Sequence, residues 1–220
     1  LMISCTPKRV DPRDVLISNR HVKLEDLKEG AVIGTSSLRR SAQLLAVRPD
    51  LQIKWIRGNV DTRLKKLATE EFDGIILAAA GLTRLDMIDV ITEPISEKII
   101  VPAVGQGVLA IQSRTEDSQL NMELTKLNDT YTEKTVTAER VFLGELNGGC
   151  QVPIGGYAIL NEQNEIELTA LVGSMDGKVI LKEVVTDKDP ILAGKKAAEI
   201  LRRQGAERFI EEAAQAENSV

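Results

Sequence analysis

A strand–loop–helix pattern occurs twice in succession within residues 31–63, and it constrains the fold more than any other feature of the sequence. The first unit has an apolar run at 31–33, three hydroxyl residues, and a helix that must end before Pro49. The second has a strand-like run at 51–56 and a helix that Asn59 can cap. Two such units in series indicate an α/β domain, in which hydroxyls and backbone N–H groups at the helix N-termini form an anion site.

Five arginines lie at or beside the loops that follow predicted strands. They are Arg39, Arg40, Arg57, Arg63 and Arg84. Three of them fall in the first turn of a predicted helix, where a cation opposes the helix macrodipole at a cost of about 0.3–1 kcal/mol. A chain that repeats this unfavourable arrangement is expected to hold anions there, while a solvated basic face is the alternative.

The composition limits the classes of ligand and partner that the chain is expected to bind. Its 220 residues carry a net charge of -5 and only 3% aromatic residues, which argues against a broad basic surface or a stacking platform for nucleic acid. No apolar run approaches the length of a membrane span, so no membrane partner is expected. One histidine, His21, and two cysteines, Cys5 and Cys150, do not make a catalytic triad, a disulfide framework or a metal site. These observations favour a small anionic ligand and a reducing, cytoplasmic location.

The hydrophobic pattern predicts two kinds of architecture along the chain. Residues 73–79 are a continuous apolar run, which is typical of a central parallel strand covered on both faces. From about residue 130 the pattern indicates a smaller α+β domain with an antiparallel three-stranded sheet. The predicted strands are 1–4, 15–18, 31–33, 51–56, 73–79, 157–160, 165–172 and 178–185. Besides the two helices described above, the predicted helices are 24–27, 118–128, 133–146, 191–204 and 206–214.

Two glycine-rich segments are further candidates for a ligand site. Gly105 and Gly107 flank Gln106 in the apolar stretch 99–112, where they allow a tight turn, a close approach of backbone to a ligand, or a bulged strand. Cys150 follows two glycines at the end of a predicted helix. The partial negative charge of that helix end disfavours a thiolate, so the residue is a better candidate for a covalent attachment point than for a fast nucleophile. A small buried cysteine is the ordinary alternative.

Six motifs, in the same order along the chain, resemble one known family, and the resemblance covers essentially the whole chain. They are GTSSLRRSAQL, IRGNVDTRL, DGIILAAAGLTRL, PAVGQG, TAERVFL and NGGCQVPIG. The chain resembles porphobilinogen deaminase, also called hydroxymethylbilane synthase. The resemblance implies a transferase of porphyrin and heme biosynthesis that joins four porphobilinogen molecules head to tail into hydroxymethylbilane and releases ammonia. It also implies a periplasmic-binding-protein-like domain with a parallel or mixed sheet, followed by the smaller α+β domain.

The resemblance assigns roles to individual residues. It implies a dipyrromethane cofactor held by a thioether to Cys150. The family's substrate-binding and cofactor-binding arginines match Arg39, Arg40, Arg57, Arg63 and Arg84. Further contacts to the cofactor are implied for Thr35, Ser36, Ser37 and Gln106. Bidentate arginine–carboxylate pairs suit the acetate and the propionate that each pyrrole carries.

The resemblance also implies a domain organisation. The expected divisions are a remnant of the first domain at 1–11, a middle domain at 12–100, a segment returning to the first domain at 101–128, and a C-terminal domain at 129–220. The family's aspartate-bearing H-S-M-K-D-V-P motif does not occur in this sequence, so we expect this chain alone to be inactive. The intact family is implied to be monomeric. Residues 1–9 and 101–112 are expected to be disordered, rearranged or paired with another chain.

Two other interpretations remain open from the sequence. A non-catalytic small-anion-binding module of periplasmic-binding-protein type would share the α/β architecture and the anion sites, but it needs neither Cys150 nor five arginines. A redox role for Cys150 lacks a resolving cysteine nearby. The other cysteine, Cys5, is expected to pack in a core.

Overall fold

The structure, a computed structural model, describes residues 1–69, 71–147 and 152–217. The strands in those residues are β1 (Met2–Cys5), β2 (Asp14–Ser18), β3 (Val32–Gly34), β4 (Gln52–Lys54), β5 (Gly74–Ala78), β6 (Glu93–Pro94), β7 (Ile111–Ser113), β8 (Ile154–Leu160), β9 (Ile166–Gly173) and β10 (Ile180–Asp187). The α-helices are α1 (Leu38–Val47), α2 (Val60–Ala68), α3 (Ala79–Arg84), α4 (Ser118–Thr125), α5 (Thr130–Glu145), α6 (Pro190–Arg203) and α7 (Ala206–Glu217). Short 3-10 turns occur at Asn19–His21 and Ile88–Val90.

A five-stranded mixed sheet organises the first part of the chain, with the strand order β4-β3-β5-β2-β6. β3 is parallel to β4 and β5, whereas β2 is antiparallel to β5 and β6. Alternate side chains of β5 belong to two different core clusters, with Ile76 in one and Ile75 and Leu77 in the other. The predicted central strand covered on both faces is therefore confirmed, although it is parallel to its neighbour on one side only.

Both predicted strand–loop–helix units are present. α1 begins after Ser37, whose hydroxyl accepts a hydrogen bond from the N–H of Arg40 (3.4 Å), and it ends before Pro49 as expected. α2 begins after Asn59, whose side-chain oxygen accepts from the N–H of Thr62 (2.9 Å). Because each helix follows the carboxyl end of a parallel strand, the two N-termini lie at the same edge of the sheet.

A separate antiparallel sheet of three strands, in the order β10-β9-β8, forms the C-terminal part. It packs against α5 and α6 around one apolar cluster, in which Phe142 is fully buried. The two helices lie close together at Gly194, where an added Cβ would stand 2.6 Å from the carbonyl oxygen of Ala138. The hairpin between β9 and β10 turns at Gly177, which has a φ of +71°. The predicted three-stranded α+β unit is confirmed.

The N-terminal strand β1 pairs with β7, so that two distant segments form a two-stranded antiparallel ribbon. Met2 lies opposite Ser113, and Ile3 lies opposite Gln112. The sequence predicted disorder, rearrangement or pairing with another chain for these segments. They instead pair with each other within one chain, while Met2 and Ile3 stay 40% exposed.

The helix predicted at 24–27 is wrong, because this segment forms turns. Leu24 and Leu27 are both buried, but their carbonyl oxygens accept hydrogen bonds from the guanidinium of Arg48 (2.7 and 3.0 Å). A side chain thus satisfies carbonyls that would otherwise need the N–H groups of a helix.

The stretch around Gly105 and Gly107 is a turn rather than a bulged strand. Residues 101–110 contain no helix or strand, and we call them the 101–110 loop. Gly105 and Gly107 have φ values of +70° and +84°, in the left-handed region that favours glycine. An added Cβ at Gly107 would stand 2.7 Å from the carbonyl oxygen of Val10, so the close approach here is to the protein's own backbone.

Candidate functional site

A cleft of about 430 Å³ opens between the N-terminus of α1, the 101–110 loop and the C-terminal unit. Its lining residues are Ser36, Ser37, Arg39, Arg40, Arg63, Ala103, Val104, Gln106, Leu143, Val152 and Ile154. One wall is therefore cationic and hydroxylic, and the opposite wall is apolar. Six of the residues implied by the resemblance meet in this one place.

The arginines at the start of α1 are largely withdrawn from solvent. The side chains of Arg39 and Arg40 are only 5% and 11% exposed. Arg39 donates through Nη1 to the carbonyl oxygen of Val101 (2.8 Å), and Arg40 donates through Nη1 to that of Ile76 (3.1 Å). The solvated basic face is thus wrong for these two residues.

A carboxylate that the sequence reasoning missed, Asp14, lies between the two guanidinium groups. Arg39 Nη1 is 2.6 Å from Asp14 Oδ2, and Arg40 Nη2 is 2.7 Å from Asp14 Oδ1. Arg40 Nε also donates to Oδ1 (2.8 Å). A signal was present in the sequence, because an aspartate that begins a wholly apolar strand must find a charged or polar partner once it is buried.

Burial and neighbouring charges shift the pKa values of Asp14 and Arg40. Burial raises the pKa of Asp14, but the charges and hydrogen bonds of Arg39 and Arg40 outweigh it and hold that pKa below its ordinary value. Burial lowers the pKa of Arg40, an effect that the charge of Asp14 opposes and those of Arg39 and Arg63 reinforce. We therefore treat Asp14 as ionised, with both guanidinium groups cationic, since arginine is not deprotonated in proteins.

Gln106 joins the same network from the 101–110 loop. Its Oε1 accepts from Arg39 Nη2 (3.2 Å), and its Nε2 donates to the carbonyl oxygen of Pro12 (2.6 Å) and to Asp14 Oδ1 (3.1 Å). Every polar atom of this amide therefore has a partner in the protein. The structure thus places Gln106 beside the arginines, as its implied role requires.

The three hydroxyl residues before α1 differ in their surroundings. Thr35 is buried and outside the lining of the cleft, and its hydroxyl accepts from the N–H of Ser37 (3.2 Å). The hydroxyl of Ser36 donates to the carbonyl oxygen of Ile56 (2.6 Å). Ser36 and Ser37 line the cleft, whereas Thr35 stabilises the turn that presents them.

The remaining arginines are only partly gathered at the cleft. Arg63 lines it and donates through Nε to the carbonyl oxygen of Gly58 (2.8 Å). Arg57 is exposed, outside the lining, and lies 5.8 Å from the ring centroid of Trp55. We expected Arg84 at a junction between a loop and a helix. This prediction is wrong, because the strand β5 runs directly into α3 and Arg84 is the last residue of that helix. It donates to the carbonyl oxygen of Gly107 (3.1 Å) and so contacts the 101–110 loop from outside the cleft.

The predicted attachment residue Cys150 lies outside the described residues. Val152, two positions further along the chain, lines the cleft. Cys5 is buried, as predicted. The cleft offers guanidinium and hydroxyl donors for carboxylates and an apolar wall for ring faces, a donor set that fits a dipyrromethane with its acetate and propionate groups.

A second buried ion pair, also missed from the sequence, joins the C-terminal unit to the rest. Arg9 Nη1 is 2.5 Å from Glu139 Oε1, and the two side chains are 7% and 0% exposed. The carboxylate also accepts from the N–H groups of Gly105 (2.7 Å) and Ala158 (2.9 Å). Burial raises the pKa of Glu139, and Arg9 and these N–H groups oppose that shift. The signal was a glutamate on the buried face of an amphipathic helix.

Two kinds of feature are absent from the described residues. There, no cluster of three or more histidine, cysteine, aspartate or glutamate side chains is placed to hold a metal ion. In the same part of the chain, no helix has the length and apolar character needed to cross a membrane.

Comparison with known proteins identifies the family. Residues 1–122 match the family model described as "Porphobilinogen deaminase, dipyromethane cofactor binding domain", and residues 133–203 match "Porphobilinogen deaminase, C-terminal domain". Proteins named porphobilinogen deaminase from Bacillus cereus and from Bacillus thuringiensis (strain Al Hakam) are each 62% identical over 211 residues, which are 96% of this chain and 68% of the relative. These matches favour the transferase over the non-catalytic anion-binding module. The chain therefore belongs to the porphobilinogen deaminase family: it is a transferase of tetrapyrrole synthesis and contains the region that in this family binds the dipyrromethane cofactor.

Proposed function

We propose that the cleft binds the carboxylates of porphobilinogen and of the dipyrromethane, and that Arg39, Arg40 and Arg63 are its principal anion-binding groups. The observation that carries this proposal is the convergence of these three guanidinium groups with Ser36 and Ser37 on one cleft. The cleft also includes Val152, which follows Cys150 closely in the sequence. A carboxylate-bearing chain attached at that cysteine would therefore have its binding groups within reach.

The charge balance of the cleft supports an anionic ligand. Three guanidinium groups line the cleft, and Arg39 and Arg40 share one buried carboxylate, Asp14, so these four side chains together carry a net charge of +2. Each pyrrole unit brings an acetate and a propionate. Because the guanidinium groups lie against an apolar wall, their attraction to a carboxylate is weakened less by water than at an open surface.

The residues of the chain bind and orient the reacting units. When bound, the dipyrromethane supplies the pyrrole carbon to which the first substrate is joined. Arg39 and Arg40 hold carboxylates at the N-terminus of α1, and Gln106 supports Arg39 through its hydrogen bond to Nη2. Leu143, Val152 and Ile154 exclude water from the ring faces. Holding both partners in register is a large source of rate acceleration for a bond-forming step between two bound molecules.

The other residues implied by the family keep more peripheral roles in this proposal. Arg57 is exposed, in the loop that leads to α2, and it suits a contact with a ligand that extends beyond the cleft. Arg84 holds the 101–110 loop through the carbonyl oxygen of Gly107. Thr35 shapes the turn before α1. Cys150 is the proposed attachment point for the cofactor.

The finer points of architecture are likewise proposals. We assign the five-stranded unit to the periplasmic-binding-protein-like class, supported by its parallel β3, β4 and β5 with helices between them. We retain the divisions at 1–11, 12–100, 101–128 and 129–220. A monomer in the cytoplasm is the simplest assembly consistent with these assignments.

Intact mass measurement tests the attachment point. The wild-type chain, Cys150→Ser and Cys5→Ser are each incubated with porphobilinogen, purified and weighed by mass spectrometry. The wild type and Cys5→Ser, which alters the buried cysteine in the ribbon, are expected to gain the mass of two linked pyrrole units, together with a positive reaction to Ehrlich's reagent. Cys150→Ser is expected to gain nothing. A gain that persists in Cys150→Ser would contradict the assignment, whereas an unchanged wild-type mass would show that this chain alone does not load the cofactor, in agreement with its expected inactivity.

Calorimetric titration with porphobilinogen tests the anion-binding groups. Arg63→Gln removes a lining guanidinium, whereas Arg208→Gln removes an exposed one that pairs with Glu212 on α7. Binding is expected to weaken in the first variant and to stay at the wild-type level in the second. Equal affinities in the two variants would remove Arg63 from the site.

A further inference from the structure

Asp14 is a fully buried carboxylate that has no role of its own in the proposed function. It is the first residue of β2, lies opposite Ala78 of β5 and has no exposed surface. Burying an ionised carboxylate is costly unless it is paired and hydrogen-bonded. The chain retains it at this position nevertheless, directly behind the cationic wall of the cleft.

The contacts of Asp14 converge on cleft residues. Oδ2 accepts from Arg39 Nη1 (2.6 Å), and Oδ1 accepts from Arg40 Nε (2.8 Å) and Gln106 Nε2 (3.1 Å). Oδ1 also lies 2.7 Å from Arg40 Nη2 in the ion pair. All three partners line the cleft, and they come from two separate segments of the chain. One carboxylate therefore fixes the positions of a neighbouring pair of guanidinium groups and of the amide that faces them.

We propose that Asp14 is a positioning residue, which sets the orientation of the Arg39 and Arg40 guanidinium groups, directly and through the Gln106 amide, so that the remaining N–H groups of the two guanidinium groups face a ligand in the cleft. The two guanidinium groups meet at one carboxylate, and their like charges repel each other. Asp14 offsets that repulsion and holds the two groups at a fixed separation. This inference rests on the proposed function, because it concerns the same cleft.

The inference makes a prediction opposite to that of simple charge attraction. Asp14→Asn removes one negative charge from behind the cleft, so if charge alone governed binding, anionic porphobilinogen would bind more tightly. If orientation governs, the released guanidinium groups lose their alignment and binding weakens. An aspartate with a purely structural role would lower the melting temperature and leave the affinity of the folded protein unchanged.

The experiment compares four forms of the full chain by calorimetric titration with porphobilinogen at a temperature below all of their melting points. These are wild type, Asp14→Asn, Asp14→Glu and the control Asp11→Asn, which alters a partly exposed carboxylate of the same segment that pairs with Arg13. We expect Asp14→Asn to bind about tenfold more weakly than wild type, equivalent to ~1.4 kcal/mol. Asp11→Asn is expected to bind like wild type. Asp14→Glu keeps the charge but moves the carboxylate by one methylene, so it should also weaken binding.

A second readout does not depend on affinity for the free substrate. The fraction of chains that carry the covalent mass gain after incubation with porphobilinogen is expected to fall in both Asp14 variants and to stay unchanged in Asp11→Asn. Wild-type affinity or tighter binding in both Asp14 variants would overturn the inference while the proposed function stands. Failure of the wild type itself to bind would overturn the proposed function and the inference together. Should Asp14→Asn not fold, Asp14→Glu decides the question, because the buried cations keep their counter-charge.

Discussion

Replacing Glu139 by glutamine tests the buried ion pair that joins the C-terminal unit to the rest of the molecule. The carboxylate of Glu139 receives hydrogen bonds from Arg9 and from the backbone N–H groups of Gly105 and Ala158. Glutamine has the same shape but offers one acceptor oxygen and one NH₂ donor. In either orientation, the NH₂ group faces one N–H of Arg9 and one backbone N–H, so two donors lose their acceptor.

The expected cost follows from these contacts. Each buried donor left without an acceptor costs about 1–3 kcal/mol. The guanidinium of Arg9, only 7% exposed, also loses its counter-charge. Removing one partner of a buried pair costs about 3–5 kcal/mol in general. We therefore expect Glu139→Gln to lower the free energy of unfolding by about 3–5 kcal/mol, a large fraction of the stability of an ordinary domain.

Urea denaturation followed by far-UV circular dichroism and by the fluorescence of Trp55 measures this loss. Glu133→Gln on the same helix is the matched control, because Glu133 is exposed and its loss should change stability by no more than about 0.5 kcal/mol. Arg9→Met added to Glu139→Gln should cost less than Arg9→Met alone, since the two residues act as one unit. A Glu139→Gln midpoint equal to that of the control would refute the reasoning.

Two further predictions concern a glycine of the 101–110 loop and an ion pair near the end of α1. Gly107→Ala places a Cβ at a φ of +84° and 2.7 Å from a backbone carbonyl oxygen, so it should lower the free energy of unfolding in urea by more than about 1 kcal/mol. The control Gly81→Ala has open space around it in α3 and should be neutral or stabilising, and equal effects of the two substitutions would contradict the geometry. The hydrogen bond from Arg48 lowers the pKa of Asp50 to about 2, below its ordinary 3.8, so the stability that it contributes is present above about pH 4 and is lost as the pH falls through 2. A carboxyl NMR titration should give that value, Asp50→Asn should lose this acid dependence, and an unshifted pKa would show that the pair does not form.

Local rules predicted much of the fold because each relevant element has a strong local signal. The helix α1 ends before Pro49, and Asn59 caps α2, as capping and proline rules require. The segment 24–27 was mispredicted because its turns depend on Arg48, more than twenty residues later in the sequence. A contact of that kind leaves no trace in a local hydrophobic pattern.

The sequence predicted the residue types of the candidate site but not the ion pairs that they form with Asp14. Arg39, Arg40, Arg63 and Gln106 meet as expected, yet the anion that the described structure places against the first two is Asp14 of the same chain. Helix position alone indicates that an anion is favourable at a site. It does not distinguish a ligand from a side chain that folding brings in from another strand.

The 101–110 loop is fastened to its surroundings largely by main-chain oxygen atoms. The guanidinium group of Arg39 takes the carbonyl oxygen of Val101, Arg9 takes that of Gln106, and Arg84 takes that of Gly107. Every amino acid supplies such an oxygen, so substitutions in this loop at positions other than Gly105, Gln106 and Gly107 leave these three hydrogen bonds intact as long as the arginines remain. Substitution of Arg39, Arg9 or Arg84 would instead remove one of these hydrogen bonds, so the constraint on sequence lies mainly on these three side chains.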